Sequence, residues 1–459
     1  MSAEKTAVIG AGISGLSVAY WLDRAGLDVS VWEGSSHVGG SIVTERQGDF
    51  LVDLGPNSTL ETSSTLKDLI RDIGLEEEKV YANDAASNRY VVKHGTLHPI
   101  PMSPVKFLTT KLFSASAKLR LLKEPFLKPT TEDDISLADF VRYRLGKEFL
   151  EYAINPFVAC VYAGDPETLS TVAAFPKLYA LEQTYGSLIK GAIKGARERK
   201  KRNEVAKDRA KLFSFKNGMQ TLTDTLAAHL KGKINTETSV LSLKKDESGF
   251  MLEIKKGNNL QTLVFDRVVL SVPTYALAHL VKDLAPDNTV ALSNINYPPV
   301  AVVFSAFKRH QVKRELDGFG FLIPAVEKKN ILGSIWSSTI FPGRAPKNMA
   351  AFTTFMGGTR QPDHVALDDA QLGQMVYDDL NAIVGLSGPP VFTRIKKWER
   401  AIPQYALGYK HIQDSFTEME EKIRGLYFAG NFRRGISVGD SVLCARDTVD
   451  KILNITTSL

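Results

Sequence analysis

Three glycines at a GxGxxG spacing, Gly10, Gly12 and Gly15, directly follow the apolar run at residues 6–9. After them Leu16, Ala19, Tyr20 and Leu22 repeat at intervals near the helical period. A second apolar run, residues 29–32, ends in an acid, Glu33. Strand, glycine turn, helix, strand and acid in that order make a dinucleotide-binding fingerprint, and each residue type has a physical task. Gly10 permits the tight turn, Gly12 lets backbone approach a diphosphate, and Gly15 lets the helix pack close on the strand. The diphosphate rests on the helix N-terminus, where free N–H groups and the dipole favour an anion. Glu33 accepts from ribose hydroxyls, and its charge argues against a 2′-phosphate and hence against NADP.

The elements that position these residues lie in a chain of 459 residues, long enough for two or three cores. An apolar content of 44% with 24% charged residues is that of a globular protein. The first strand begins by Thr6, so no leader peptide is expected. No apolar run reaches the ~18 residues a bilayer-spanning helix needs. Two cysteines, Cys160 and Cys444, fit a reducing compartment and predict neither a disulfide framework nor a metal site. The net charge of +6 suits an anionic surface but equally suits none.

Along the chain, residues 50–58 read as a strand ending in a Gly-Pro turn, 65–73 as a helix, and 89–97 as a hairpin about Lys93-His94-Gly95. From 99 to 211 the pattern turns helical. Within it, residues 105–126 interleave large apolars such as Phe107, Leu112 and Leu119 with Lys106, Lys111, Lys118, Arg120 and Lys123. That mixture fits a membrane face or a core-facing helix pair with solvated lysines. Residues 190–211 carry ten basic side chains, read as a solvated helix end with membrane phosphates as the functional alternative. Nucleic acid is disfavoured there because no aromatics interleave. A helix opens at Gly218, and strands follow at 238–243, 250–254, 263–265 and 267–271. Strand patterns dominate 297–397 (300–307, 319–323, 331–336, 351–355), interrupted by a helix at 372–384. Residues 425–431 read as a buried strand, and 436–441 open a final helix at 442–453. The two ends of the chain are expected to build one site.

Gly39-Gly40, shortly after Glu33, resembles the extended FAD fingerprint of the amine oxidase and phytoene desaturase superfamily. Ser41 stands where most members carry arginine. Further motifs resemble the oxygen-dependent protoporphyrinogen oxidase family: Gly55-Pro56-Asn57-Ser58, Asn88-Arg89-Tyr90-Val91-Val92, Val161-Tyr162-Ala163-Gly164-Asp165-Pro166, and Trp398-Glu399-Arg400-Ala401-Ile402-Pro403-Gln404-Tyr405. The likeness runs over essentially the whole chain.

The resemblance implies an α/β protein, α+β overall. It would have a Rossmann-like FAD-binding domain (1–80, 212–297, 398–459), a mixed-sheet substrate-binding domain (81–98, 298–397) and a helical membrane-binding insertion (99–211). It implies non-covalent FAD and oxidation of protoporphyrinogen IX to protoporphyrin IX in tetrapyrrole biosynthesis, six electrons passing to three O2 to give three H2O2. It also implies a homodimer in the cytoplasm, peripheral on the inner face of the cell membrane, with hand-over of product to a metal chelatase. Hydride passes from a meso carbon to flavin N5 in this picture, so no protein acid or base and no metal is expected.

Carried over by position, Arg89 meets a substrate propionate, Gly164 lets backbone close on the ring, and Leu322, Ile335 and Phe355 sandwich the macrocycle. Ile335 stands where the family often has leucine. For FAD, the resemblance adds Gly40, Ser41, Gly55, Asn57, Val240, Trp398, Gly430 and Val438 to Gly10, Gly12, Gly15 and Glu33. The rival readings are coproporphyrinogen III oxidation by the same mechanism, whose four propionates call for more cations, an amine or carotenoid oxidase, and a flavin-free binding protein like the Rab GDP-dissociation inhibitors.

Overall fold

The structure, a computed structural model, describes residues 4–201 and 210–454, with backbone alone for 196–201. Most of the basic run at 190–211 therefore lies outside the described side chains.

The first glycine turn sits at the edge of a five-stranded parallel sheet. Its strands run in the order Ile234–Asn235, Asp28–Trp32, Lys5–Ile9, Arg267–Leu270, Leu426–Phe428. The short apolar runs form strands here because both faces are covered, as parallel sheets require. On one face the helices Ile13–Arg24, Gln220–His229 and Val438–Ile452 bury Leu16, Leu222 and Val442 against Val8, Val31 and Val269. On the other, an antiparallel sheet (Thr238–Asp246, Gly249–Lys256, Asn259–Phe265) packs Phe250, Leu252 and Phe265 over Ile9, Val268 and Leu270.

A second, seven-stranded sheet runs in the order Phe392–Trp398, Val300–Lys308, Met349–Gly357, Ile331–Ile335, Gly318–Leu322, Asn88–Lys93, Thr96–Pro99. All of its pairings are antiparallel except that between Gly318–Leu322 and Asn88–Lys93, so the sheet is mixed. Because side chains alternate along a strand, it has two distinct faces. Helix Asp369–Val384 covers one of them, setting Leu372, Val376 and Leu380 on Val92, Val303, Phe321 and Phe352. A capping box between Asp368 and Gln371 starts that helix three residues before the apolar repeat suggested.

Other boundaries moved for identifiable reasons. The final helix begins at Val438 rather than 442, because Ser437 caps it by accepting from Asp440 N at 3.0 Å. Helix Tyr409–Lys422 has no counterpart in the sequence reading, although Tyr409, Phe416 and Met419 form its buried stripe. The stretch 105–126 is not one helix pair of uniform character. Pro104–Thr109 and Ala115–Leu121, each capped by a serine, turn Leu112 and Phe113 inward, where Phe113 stacks on Phe149 at 4.1 Å. Val105, Leu108, Leu119, Leu122 and Phe126 point outward, Phe126 with 86% of its surface exposed.

The helical region turns on a buried charge cluster. Arg144, Glu124 and Glu182 are each 0% exposed. Arg144 Nε donates to Glu182 at 2.7 Å and its Nη1 to Glu124 at 3.4 Å. Glu182 also accepts from Thr130 N at 2.9 Å, and Glu124 accepts from Leu188 N at 2.8 Å and from Ile189 N at 3.2 Å, at the start of helix Leu188–Lys201. One guanidinium thus bridges carboxylates from two segments. Removing it leaves both buried and unpaired, so Arg144→Gln should cost about 3–5 kcal/mol of stability in a urea titration.

Candidate functional site

The three glycines of the turn differ in what their missing side chains allow. A Cβ on Gly10 (φ +102°) would stand 2.8 Å from Ser271 O, and one on Gly15 only 2.0 Å from Gly10 O. One on Gly12 would meet nothing within 4 Å. Gly12 is therefore the position with an open approach. Helix Ile13–Arg24 has no side-chain cap and no acid in its first turn, so its leading N–H groups have no side-chain acceptor. Glu33 accepts from Ala11 N at 2.8 Å and from Ser35 N and Oγ at 2.9 and 2.8 Å, which fixes its carboxylate against the turn. An uncapped helix, an open glycine and a fixed acid fit a dinucleotide.

The remaining expected cofactor residues gather around this turn to different degrees. Gly39 N donates to Ala11 O at 2.8 Å, and a Cβ on Gly40 would lie 3.3 Å from Gly12 Cα, so the glycine pair packs on the turn. Ser41 is exposed, and its carbonyl oxygen lies 1.8 Å from where a Cβ on Gly55 would be. Strand Thr238–Asp246, which carries Val240, leaves the Glu33 end through Thr238 N donating to Glu33 O at 2.8 Å. Val438 is buried in the same core as Ala11 and Ile42. Gly430 needs its glycine for an internal reason, since the Phe432 ring comes within 2.2 Å of its Cβ position.

The expected substrate residues are collected by the seven-stranded sheet. One cross-strand row reads Arg89, Gly320, Ile335, Thr353, Phe304, Arg394. The next row on the same face reads Val91, Leu322, Gly333, Phe355, Val302, Lys396, with Trp398 two residues further along its strand. Arg89, Leu322, Ile335, Phe355 and Trp398 thus share the face that helix Asp369–Val384 does not cover. The four apolar members are only partly buried. Phe355 and Trp398 cluster with Ala163, the neighbour of Gly164. Gly164 itself is buried, and its Cβ position lies 2.4 Å from Gln404 Oε1, so protein packing already demands the glycine. The Gln404 amide is held by donating to Tyr162 O at 2.7 Å.

Helix Asn155–Val161 lies over part of the face, with Cys160 Sγ 3.2 Å from the Cβ position of Gly333. Burial pushes that thiol up to about 12, so it stays protonated. Arg89 is exposed, with its guanidinium 5.7 Å above the Phe319 ring and no ion pair among the described residues. Trp398 Nε1 donates to Leu54 O at 2.8 Å, tying the sheet to the residue before Gly55.

Sequence reasoning missed the polar wall between the two units. A cavity is lined by Asn57, Ile335, Thr353, Phe304, Asp53 and Arg344. Asp53 and Arg344 are 4% and 3% exposed and lie 3.4 Å apart. Burial pushes the Asp53 carboxyl up and the Arg344 guanidinium down, each partly offset by the other. Asp53 closes an apolar strand, so its burial was legible in principle, but its distant partner was not.

Comparison with known proteins identifies the family. The family profile for flavin containing amine oxidoreductases covers residues 13–453. The chain belongs to that family and is a flavin-dependent oxidoreductase. Protoporphyrinogen oxidase 2 of Arabidopsis thaliana is 33% identical across 99% of this chain and 94% of its own length. Coproporphyrinogen III oxidase of Bacillus subtilis (strain 168) is 30% identical across 95% of each. A crystal structure from Exiguobacterium sp. 255-15, provisionally named a protoporphyrinogen oxidase, superposes with a TM-score of 0.83 at 26% identity, covering 99% of this chain and 100% of that one.

The Ser41–Gly55 approach is backbone against backbone, and no side-chain movement relieves it. Gly55→Ala should therefore purify with a native far-UV circular dichroism spectrum but without the flavin band near 450 nm. Flavin content equal to wild type would count against the placement of this loop at the cofactor.

Proposed function

We propose that the chain is a non-covalent FAD enzyme that oxidises protoporphyrinogen IX to protoporphyrin IX, with O2 as the acceptor. The single observation that carries this reading is the sheet face opposite helix Asp369–Val384, on which an exposed guanidinium stands in register with partly buried Leu322, Ile335, Phe355 and Trp398. A flat macrocycle with carboxylates at one edge needs that combination: apolar walls for the ring and a fork for a propionate. The name borne by the Arabidopsis thaliana relative supports it.

FAD, when bound, supplies the acceptor for two electrons at a time. The chain's residues supply placement. In this reading Gly12 and the uncapped helix hold the diphosphate and Glu33 the ribose. Gly40, Ser41, Gly55, Asn57, Val240, Gly430 and Val438 line the cofactor, and Trp398 holds the loop that carries Gly55. Arg89 orients the macrocycle through charge-assisted bonds, while Leu322, Ile335, Phe355 and the backbone at Gly164 exclude water from its faces. The three-part division at 80/81, 98/99, 211/212, 297/298 and 397/398 belongs to the same proposal. No helix among the described residues is long and apolar enough to cross a membrane. The outward Val105, Leu108, Leu119, Leu122 and Phe126, set among lysines, support a peripheral contact with anionic lipid.

Coproporphyrinogen III is the second reading. The Bacillus subtilis relative favours it, as does a further cation, Lys396, 4.8 Å above the Trp398 ring on the same face. Aerobic turnover of both porphyrinogens, followed by porphyrin fluorescence, separates the two, with the two-propionate substrate expected to be the faster. No reaction with either would sink the proposal. Arg89→Ala should raise KM about tenfold or more with kcat little changed, the signature of a lost ground-state carboxylate contact. Flotation with anionic liposomes tests the outward patch: Leu108→Glu with Leu122→Glu should move the protein out of the vesicle fraction.

A further inference from the structure

One element touches both halves of the site without belonging to either set of expected contacts. Strands Thr44–Gln47 and Phe50–Asp53 form a two-stranded hairpin between the glycine pair and Gly55. On its cofactor side Thr44 N donates to Gln220 Oε1 at 2.8 Å, Gln220 N donates to Thr44 Oγ1 at 3.1 Å, and Met219 N donates to Asp53 at 2.9 Å. These bonds tie it to the start of helix Gln220–His229. On its other side Arg394 grips Glu45 with two parallel bonds, Nε to Oε2 at 2.7 Å and Nη2 to Oε1 at 2.9 Å. The Phe50 ring stacks on Phe392 at 4.5 Å with 7° between planes. Leu51 N donates to Arg344 O at 3.2 Å, and the Asp53–Arg344 pair closes the inner end. Arg394 and Phe392 belong to the edge strand that also carries Trp398. The hairpin is thus bonded to the start of helix Gln220–His229 on one side and to the seven-stranded sheet on the other, and the chain leaves it directly into the segment 54–57.

We propose that this hairpin is the gauge that fixes the spacing between the Gly55–Asn57 loop and the sheet face opposite helix Asp369–Val384, and that Glu45 and Arg394 are positioning residues for electron transfer between substrate and flavin. The inference rests on the function proposed above. Each side chain is engaged by the other, so the pair acts by holding the hairpin to the sheet and, through it, the loop that follows. A bidentate pair is suited to this because its two bonds constrain orientation as well as distance. Transfer of a hydride is steep in donor–acceptor distance, whereas binding of the macrocycle to the sheet is not.

Glu45 and Arg394 are about one-third exposed, so their variants should fold. In Glu45→Gln and Arg394→Gln holoenzyme, anaerobic flavin reduction by porphyrinogen should slow about tenfold, with KM within about twofold of wild type and FAD content unchanged. The exchanged pair, Glu45→Arg with Arg394→Glu, should recover most of the loss. A lowered Tm with wild-type flavin reduction would show the pair to be merely structural and overturn the proposal. Amide hydrogen exchange at Leu54, Gly55 and Asn57 in the same holoenzymes gives a readout independent of the substrate. It should quicken about fivefold or more in each single variant. Exchange equal to wild type overturns the proposal even if the porphyrinogens prove not to be substrates, whereas an unreactive wild-type enzyme with quickened exchange removes only the substrate assignment.

Discussion

The carbonyl oxygen of Ser41 occupies the space a side chain would need at residue 55, and the site depends on that close approach. It presses the segment after the glycine pair onto the loop that follows strand Phe50–Asp53. Because the contact is between backbones, neither partner can yield by changing rotamer. Everything nearby holds it in place: the glycine pair bonded to the first turn, Trp398 bonded to Leu54, and the Asp53–Arg344 pair at the hairpin's inner end. The parallel sheet with its glycine turn and the seven-stranded sheet consequently meet along one seam.

The two sheets solve different problems. The parallel sheet is covered on both faces and offers only its C-terminal edge, where the glycine turn and Glu33 converge. The seven-stranded sheet has one face covered by helix Asp369–Val384 and the other covered only in part, by the hairpin at 44–53 and helix Asn155–Val161, with Gly320 and Gly333 removing side chains from its middle. A face of that kind presents apolar side chains in rows of fixed spacing, which suits a flat rigid ligand better than a flexible one.

Much of this was legible in the sequence because local rules govern it. The first turn follows from glycines placed between two apolar strands, and the strands of the second sheet from their alternation. Arg89, Leu322, Ile335, Phe355 and Trp398 could be singled out through family likeness. Their common face is a property of register, which only pairing between distant strands decides. Gly164 and Gly430 were singled out for contacts to ligands, whereas the neighbours that crowd them in the fold, Gln404 and Phe432, are seen only in three dimensions. Asp53 with Arg344 and Glu45 with Arg394 escaped altogether, since a charged pair leaves no trace in sequence when its members lie far apart. Helix Tyr409–Lys422 did carry a signal, its stripe of Tyr409, Phe416 and Met419, among surrounding polar residues.

The strand order of the parallel sheet has a bearing on how the molecule is made. Lys5–Ile9 leaves the ribosome first, yet one neighbour is Arg267–Leu270, and the sheet is finished only by Leu426–Phe428. The helix that completes the core over the first turn comes later still, at Val438–Ile452. A nascent chain therefore carries a half-paired apolar strand through most of its synthesis, and its slowest folding event must be closure of the longest loops. Until then the exposed edge of that strand is open to wrong partners, so yield on expression should depend on chaperones and on translation reaching the last helix.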